Sequence, residues 1–138
     1  MKVIVAGSRY FKDFKRLIDE LLKIQKDVTI DEIVSGGCHG ADKYGECWAD
    51  LFDIPVKIFK ADWKKYGKAA GPIRNKEMAE YGDMLVLFWD GKSKGSANML
   101  KTMQSLNKKC IEVIVEIESY TKPRKRRVGM VRVSKENK

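Results

Sequence analysis

Short runs of β-branched residues alternate with glycine-bearing loops and amphipathic segments along most of this 138-residue chain. Residues 2–6 form the first run, residues 7–9 break it with a glycine turn, and residues 14–22 space their apolar side chains at helical intervals. The same order recurs over residues 32–52. Repetition of strand, loop and helix predicts a parallel sheet with right-handed helical crossovers.

This alternation continues to residue 117 and predicts an α/β fold, a three-layer Rossmann-like sandwich. We expect a five-stranded parallel sheet in the order 3-2-1-4-5, with helices on both faces. Residues 84–89 are almost wholly apolar, as a central strand covered on both faces should be, whereas residues 60–70 show no clear period and are predicted to form a long loop. The predicted strands are residues 2–6, 32–35, 55–59, 84–89 and 110–117, and the later helices are residues 41–52, residues 73–81 and a segment that includes Met99 and Leu106.

Positive charge is concentrated towards the carboxyl end of the sequence. The chain has 28 Lys and Arg against 19 Asp and Glu, but residues 120–138 hold eight of the basic residues and one acidic residue. A near-neutral domain with a basic tail therefore fits better than a uniformly basic surface for nucleic acid. We predict a folded domain over residues 1–118 and a disordered or loosely attached basic tail over residues 119–138.

The cysteines and the first residues of the sequence bear on the compartment. Cys38, Cys47 and Cys110 show no metal-ligand spacing, and their odd number leaves one unmatched in any disulfide scheme. The sequence opens on a predicted strand instead of an apolar leader, and no run approaches the length of a membrane span. We therefore expect a cytoplasmic protein with reduced thiols, no metal site and no membrane contact, and a homo-oligomer stays open.

The crevice at the carboxyl ends of the strands is the expected ligand site, at the point where strand order reverses. For the predicted order it lies between Gly7-Ser8-Arg9 and residues 90–96, which follow the first and fourth strands. Both loops carry glycine and lead into helices, so their backbone N–H groups can bind an anion such as phosphate. Neither is a Walker A sequence or a full dinucleotide fingerprint. A plain turn or helix cap is the alternative for any single loop.

Four motifs, taken together, resemble one protein family. They are Gly7-Ser8-Arg9, residues 35–42 with Glu46, Ala61-Asp62-Trp63, and Ala70-Gly71-Pro72-Ile73-Arg74-Asn75 with Met78. In this order they are similar to the YspA-like (YAcAr) branch of the SLOG superfamily, over about residues 1–117. The resemblance implies a Rossmann-like domain related to the DNA-processing protein A fold and to the LOG phosphoribohydrolases.

The resemblance also implies a site for a nucleotide or nucleotide derivative formed by these loops. Gly95-Ser96 stands where the family commonly has Gly-Thr on the phosphate, and Asp90-Gly91 stands where many members have Pro-Gly-Gly. Arg74 and Met78 match the Arg-x-x-x-Met element of the LOG enzymes, but Met99 occupies the position of their glutamate. The resemblance therefore supports binding better than cleavage of an N-glycosidic bond.

Charged residues within these motifs are candidates for ligand contacts. Arg9 and Arg74 each follow a turn, where a guanidinium can donate to phosphate or can form a surface ion pair instead. Asp42 and Glu46 lie one helical turn apart and are predicted to project from one face towards the crevice. They can hold ribose hydroxyls or, in an enzyme, act as acid and base, with Glu46 preferred. The alternative is that Asp42 caps its helix and Glu46 is solvated.

The remaining candidates are uncharged or weakly basic. Trp63 can stack on a base, although we favour a role in plugging the open end of the sheet. Asn75 can bind ligand or cap its short helix, Cys38 has no base that would make it a nucleophile, and His39 lacks the partners of a triad. The predicted ligand-binding residues are Gly7, Ser8, Arg9, Gly36, Gly37, Asp42, Trp63, Arg74, Asn75, Asp90, Gly91, Gly95 and Ser96.

The sequence leaves three functions open. We favour binding, for sensing or sequestration, of a nucleotide or nucleotide-derived small molecule, which needs these loops but no catalytic pair and no cofactor. The first alternative is a nucleotide-processing hydrolase, N-glycosidic or phosphoribohydrolase-like. The second is a nucleic-acid-associated protein whose basic tail contacts phosphate weakly and without sequence preference. A solubilising tail explains the same charge.

Overall fold

A computed structural model describes residues 1–117 and 130–134, and within these residues six strands form one sheet in the order β3-β2-β1-β4-β5-β6. Strands β1 to β5 are parallel, and β6 runs antiparallel to β5. The α/β class and the order 3-2-1-4-5 are confirmed. The strands are β1 (Lys2–Gly7), β2 (Glu32–Ser35), β3 (Val56–Ile58), β4 (Met84–Trp89), β5 (Lys109–Ile114) and β6 (Met130–Ser134).

Helices cover both faces of the sheet because successive residues of the central strands, which point to opposite faces, are both apolar. In β1, Val3 and Val5 pack in one core with α1 and α2, while Ile4 and Ala6 pack in a second core with α4 and α5. This arrangement makes the three layers of the predicted sandwich. The helices are α1 (Phe14–Gln25), α2 (Ala41–Leu51), α3 (Trp63–Tyr66), α4 (Ala70–Tyr81) and α5 (Lys94–Ser105), with a 3₁₀ turn at Gly67–Ala69.

The sixth strand corrects the predicted strand count. Residues 130–134 were expected to belong to a disordered or loosely attached tail, but they pair with residues 110–114 of β5. Arg132 donates to the Glu112 carboxylate at 3.2 Å, and Glu112 is buried at 6% exposure. A cation from β6 therefore partners a carboxylate that β5 buries. The rest of the predicted tail, residues 119–129 and 135–138, lies outside the described residues.

The loop predicted over residues 60–70 is partly helical. Asp62 caps α3 by accepting a hydrogen bond from the Lys65 N–H at 3.1 Å, and the 3₁₀ turn then leads directly into α4. Helix α4 consequently begins at Ala70, three residues earlier than predicted. A four-residue helix is too short to leave a period in the sequence, which is why the pattern did not reveal it.

Gly7 opens the crevice between β1 and β4. Its φ is +153°, and a Cβ at this position would overlap the carbonyl oxygen of Phe88 on β4. The next residue, Ser8, donates its N–H to the same oxygen at 2.9 Å. The chain leaving β1 then turns to α1 on one face, whereas the chain leaving β4 turns to α5 on the other. The strand order reverses at this point, as the sequence predicted.

Candidate functional site

A cleft of about 690 Å³ lies at the carboxyl ends of β1 and β4. Its walls are the loops after these strands, the start of α2, the first half of α4, and Glu116 with Ile117 beyond β5. The structure brings most of the predicted site residues together here, although none of their binding roles is tested by this placement. Those that line the cleft are Gly7, Ser8, Arg9, Asp42, Trp63, Arg74, Asn75, Asp90, Gly95 and Ser96.

Three predicted glycines do not line the cleft, but two of them shape its wall. A Cβ on Gly36 would lie 2.8 Å from both Arg74 Nη1 and Asp42 Oδ2, so only glycine leaves these two side chains room. Gly37 has a φ of +73° and packs near Ile58. Gly91 has a φ of +85° with open space around it. This geometry is that of a plain turn, which was the alternative to a role in ligand binding.

Arg74 is held in position by contacts with two other segments. Its Nη1 donates to the Gly36 carbonyl oxygen at 2.8 Å and approaches Cys38 Sγ at 3.8 Å, and its Nε donates to Asn75 Oδ1 at 3.0 Å. It does not form the surface ion pair weighed as its alternative, because its partners are a carbonyl, a thiol and an amide. Within the described part of the chain, no residue accepts a hydrogen bond from Nη2. That amino group of a fixed guanidinium is available to a ligand.

Asn75 joins α4 to α5. It is buried at 6% exposure, and its Nδ2 donates to Asn98 Oδ1 at 3.0 Å and to the Gly95 carbonyl oxygen at 3.4 Å. It does not cap α4, whose N-cap residue is Ala69. Asn98 lines the cleft, and among the described residues its own Nδ2 has no acceptor. A chain of hydrogen bonds from Gly36 through Arg74 and Asn75 thus ends in a second unused donor.

The first turn of α5 forms another part of the cleft wall. Its N-cap, Ser93, makes no side-chain hydrogen bond to the helix, so the helix end offers backbone N–H groups to an acceptor. Asp90 accepts a hydrogen bond from the Lys92 N–H at 2.9 Å and so folds the preceding turn. Ser96 is buried at 6% exposure within the wall. The basic residues around the cleft are Arg9, Arg74, Lys92 and Lys94, and the acidic ones are Asp42, Asp90 and Glu116.

Asp42 is the buried carboxyl group of the cleft. It is 5% exposed, and its Oδ2 accepts a hydrogen bond from the Cys38 N–H at 3.3 Å. Burial raises the pKa of this carboxyl to about 7, while the Cys38 N–H and the Arg74 guanidinium pull the pKa back down. The helix-capping alternative is wrong, because Gly40 is the N-cap residue of α2 and no side chain caps that helix. Asp42 instead holds the loop that follows β2.

Glu46 lies beside Asp42 but outside the cleft, and its charge adds to the rise in the pKa of Asp42. It is not among the residues that line the cleft, and its Oε2 accepts a hydrogen bond from Ser35 Oγ at 2.6 Å. Lys43 approaches its Oε1 at 3.5 Å. The expectation that Glu46 projects into the crevice beside Asp42 is therefore wrong, since Ser35 on β2 binds its carboxylate. Its catalytic role stays a prediction.

Trp63 is on the rim of the cleft and is 57% exposed. A side chain plugging the end of the sheet would be buried, so the favoured role for Trp63 is wrong. Its Cη2 atom lies 3.4 Å from where a Cβ on Gly71 would be, which shows that the ring lies against the start of α4. Cys38 also lines the cleft, whereas His39 is exposed and lies outside its lining.

Comparison with known proteins establishes the family. A model of the YspA, cpYpsA-related SLOG family matches residues 1–66. The gene 61 protein of Mycobacterium phage D29 is 33% identical over an alignment of 113 residues, and the match covers 75% of this chain and 88% of that protein. The chain belongs to the YspA, cpYpsA-related SLOG family. The predicted resemblance is thereby confirmed, and the loops after β1 and β2 lie within the matched segment.

One solved structure also resembles this SLOG protein. It is the phosphoribosylglycinamide formyltransferase (purN) of Coxiella burnetii in complex with CHES, with 15% sequence identity and a TM-score of 0.46. The similarity covers 83% of this chain and 51% of that enzyme, so this chain spans about half the enzyme's length.

Several lining residues of this SLOG protein were not predicted from the sequence. Asn98 lies three residues after Gly95 on α5, and this helical spacing is a signal that was available. Glu116 reaches the cleft because β5 ends at Ile114, earlier than predicted. Met99, which is 2% exposed, also lines the cleft. Tyr10, Lys92 and Lys94 were also missed.

The described residues 1–117 and 130–134 contain no group of three or more metal-ligating side chains that could hold an ion. Within the same part of the chain, no helix combines the length and the apolar character needed to cross a membrane.

Proposed function

We propose that this SLOG protein binds a phosphorylated, nucleotide-derived small molecule in the cleft between β1 and β4. The cleft volume of about 690 Å³ is within the usual range for small-molecule sites, which is about 300–1,000 Å³. Family membership and the position at the switch point of the sheet agree with this class of ligand. Sensing and sequestration both require only such binding.

The observation that carries the proposal is a set of cleft donors that have no acceptor among the described residues. Gly36 and Asn75 fix the Arg74 guanidinium, and Asn75 fixes the Asn98 amide, so the acceptor atoms of this network are already used. The groups left over are Arg74 Nη2, Asn98 Nδ2 and the N–H groups that begin α5. A ligand group that only accepts hydrogen bonds, such as a phosphate, complements this wall.

Preorganisation of this wall favours the binding of an anionic ligand group. Arg74 is held by its partners before any ligand arrives, so binding does not need to order a long flexible side chain. The positive end of α5 adds a favourable interaction with negative charge. Lys92 and Lys94, which are exposed, strengthen the positive potential at the same rim.

Calorimetric titration tests the proposal. We expect binding of at least one of the four nucleoside 5′-monophosphates, and Arg74→Ala should weaken it at least about tenfold, because a charge-assisted hydrogen bond contributes about 1.5–3 kcal/mol. Arg74→Lys, which keeps the charge but loses the fork, should be intermediate. Lys76→Ala is the matched control, since Lys76 is an exposed cation of α4 outside the cleft lining. Equal affinities in wild type and a folded Arg74→Ala variant would contradict the proposal.

One observation favours a second function, a hydrolase acting on such a ligand. The Asp42 carboxyl lines the cleft with a pKa near 7, so both protonation states are populated at neutral pH, as a general acid or base requires. If turnover occurs, we assign this role to Asp42 in preference to Glu46. Chromatography of wild type incubated with nucleoside monophosphates should then show free base, and Asp42→Asn should abolish that product while retaining binding.

The nucleic-acid alternative depends on residues outside the described chain, namely Lys122, Arg124, Lys125, Arg126 and Arg127. It stays a prediction, as do a homo-oligomeric state and a cytoplasmic location.

A further inference from the structure

Trp63 differs from the other tryptophans of the chain in its exposure. The chain has three tryptophans; Trp48 and Trp89 are buried at 0% and 5% exposure, whereas Trp63 is 57% exposed. Folding thus leaves most of its large apolar surface in water, where it stabilises the protein little. Its neighbour on the cleft side is Gly71, which offers no side chain to cover the ring.

The backbone at Trp63 is nevertheless held in place by the elements around it. The Asp62 cap fixes the start of α3, and the 3₁₀ turn connects α3 to α4 without a free loop. The indole therefore stands on the cleft rim beside the first turn of α4. An aromatic surface held in place on the rim of a ligand cleft is suited to stacking on a planar ring.

Helix α4 sets the spacing between this indole and the donor wall. Gly71, beside which the indole lies, and Arg74 are three residues apart, a rise of about 4.5 Å along the axis. Asn75 then reaches Gly95 at the start of α5. Asp42 Oδ2 and Arg74 Nη1 both approach the Gly36 Cα, which places the Asp42 carboxyl beside the guanidinium. The cleft thus carries an aromatic surface on its rim, a carboxyl group beside Arg74, and an anion-binding wall at Arg74 and the start of α5.

A nucleotide carries a group suited to each of these three, namely a planar base, a pentose bearing hydroxyls, and a phosphate. We propose that Trp63 stacks on the base of the ligand while the phosphate binds at Arg74 and α5, so that the cleft selects nucleotides over phosphosugars. This inference rests on the proposed function, and it adds the orientation of the ligand and the residue that determines its class.

Stacking of a base on an aromatic side chain typically accounts for about a tenfold change in affinity when the side chain is replaced by alanine. We therefore expect wild type to bind the best nucleoside 5′-monophosphate at least about tenfold more tightly than ribose 5-phosphate. Trp63→Ala should remove most of that preference by weakening the nucleotide alone. Arg74→Ala should weaken both compounds.

Tyr66→Ala is the matched control. Tyr66 is an aromatic residue of the same four-residue helix, is 42% exposed, and does not line the cleft, so its removal should leave both affinities unchanged. Trp63→Phe should retain part of the preference, because a smaller ring still stacks.

Fluorescence provides a second readout that does not depend on affinity differences. Iodide should quench mainly Trp63 in wild type, since the other two indoles are buried. Saturation with the best nucleoside monophosphate should protect this emission from iodide, and ribose 5-phosphate should not. Trp63→Phe should remove the iodide-sensitive component.

The outcomes separate the two proposals. Equal affinity for ribose 5-phosphate and the nucleotides, or unchanged iodide quenching at saturation, would overturn the stacking inference and leave phosphate binding standing. A nucleotide affinity that is the same in wild type and Trp63→Ala would also overturn the stacking inference. No binding of any of these compounds to wild type would overturn both proposals.

Discussion

Replacement of Asp42 by Asn should change how the stability of this protein depends on pH. The buried carboxyl has a pKa of about 7 in the folded protein, compared with 3.8 for the ordinary group, so between these values the folded state holds a proton that the unfolded state releases. A rise in pH therefore favours unfolding over this window. Wild type should be most stable at the acidic end and should lose this contribution as the pH passes through 7.

The size of the effect follows from linkage. Each pH unit within the window changes the free energy of unfolding by about 1.4 kcal/mol, and the change levels off above pH 7. Between pH 5 and pH 8 wild type should lose about 2–3 kcal/mol relative to Asp42→Asn, in which the amide does not titrate. Urea denaturation of both proteins at several pH values measures this difference directly.

Asp50→Asn is the matched control, because Asp50 is an exposed carboxylate of the same helix. Its pH dependence should follow that of wild type. Parallel curves for wild type and Asp42→Asn would refute the account of a carboxyl that is buried and protonated near neutral pH. The same result would remove the basis for treating Asp42 as an acid or base.

Two further predictions concern the fold, and urea denaturation tests both. Arg132→Met should lower the free energy of unfolding by about 1–2 kcal/mol, because it leaves the buried Glu112 without its cation while the exposure of Arg132 limits the loss; an unchanged midpoint would show that the contact between Arg132 and Glu112 adds no stability. Gly7→Ala should cost more than about 2 kcal/mol because its methyl overlaps the Phe88 carbonyl, whereas Gly95→Ala, with open space around it, should change stability by less than about 1 kcal/mol. Similar effects of the two glycine substitutions would contradict the close approach of β1 to β4.

The parallel core was readable from the sequence because its signals are local. Residues 32–35 and 84–89 were predicted as strands with the bounds that β2 and β4 have, since residues 33–34 and 84–89 are apolar and a turn follows each strand. Strand β6 gave a weaker signal, because the alternation of Val131 and Val133 with Arg132 is short and lies in a basic segment. Its stabilising partner, Glu112, is on another strand, so only the pairing of β5 with β6 reveals it.

The candidate site was likewise predictable only in part from the sequence. The loops after β1 and β4 were predictable because strand order alone determines where they meet. The burial of Asp42, the exposure of Trp63 and the contact between Asn75 and Asn98 each depend on how helices pack against one another. For Glu46 the predicted helical spacing from Asp42 was correct, but the predicted direction of its side chain was not. Ser35, on β2, binds its carboxylate.

Binding in the cleft can be located by titrating the ¹⁵N-labelled full chain with the best of the four nucleoside 5′-monophosphates and recording amide and indole shifts. We expect the largest shift changes at the Ser8, Gly95 and Ser96 amides and at the Trp63 indole. We expect no shift change for Lys2 and Asp83, whose contact lies at the amino ends of β1 and β4. Shift changes centred away from the cleft, or none with any nucleotide at millimolar concentration, would contradict a nucleotide site at the switch point of the sheet.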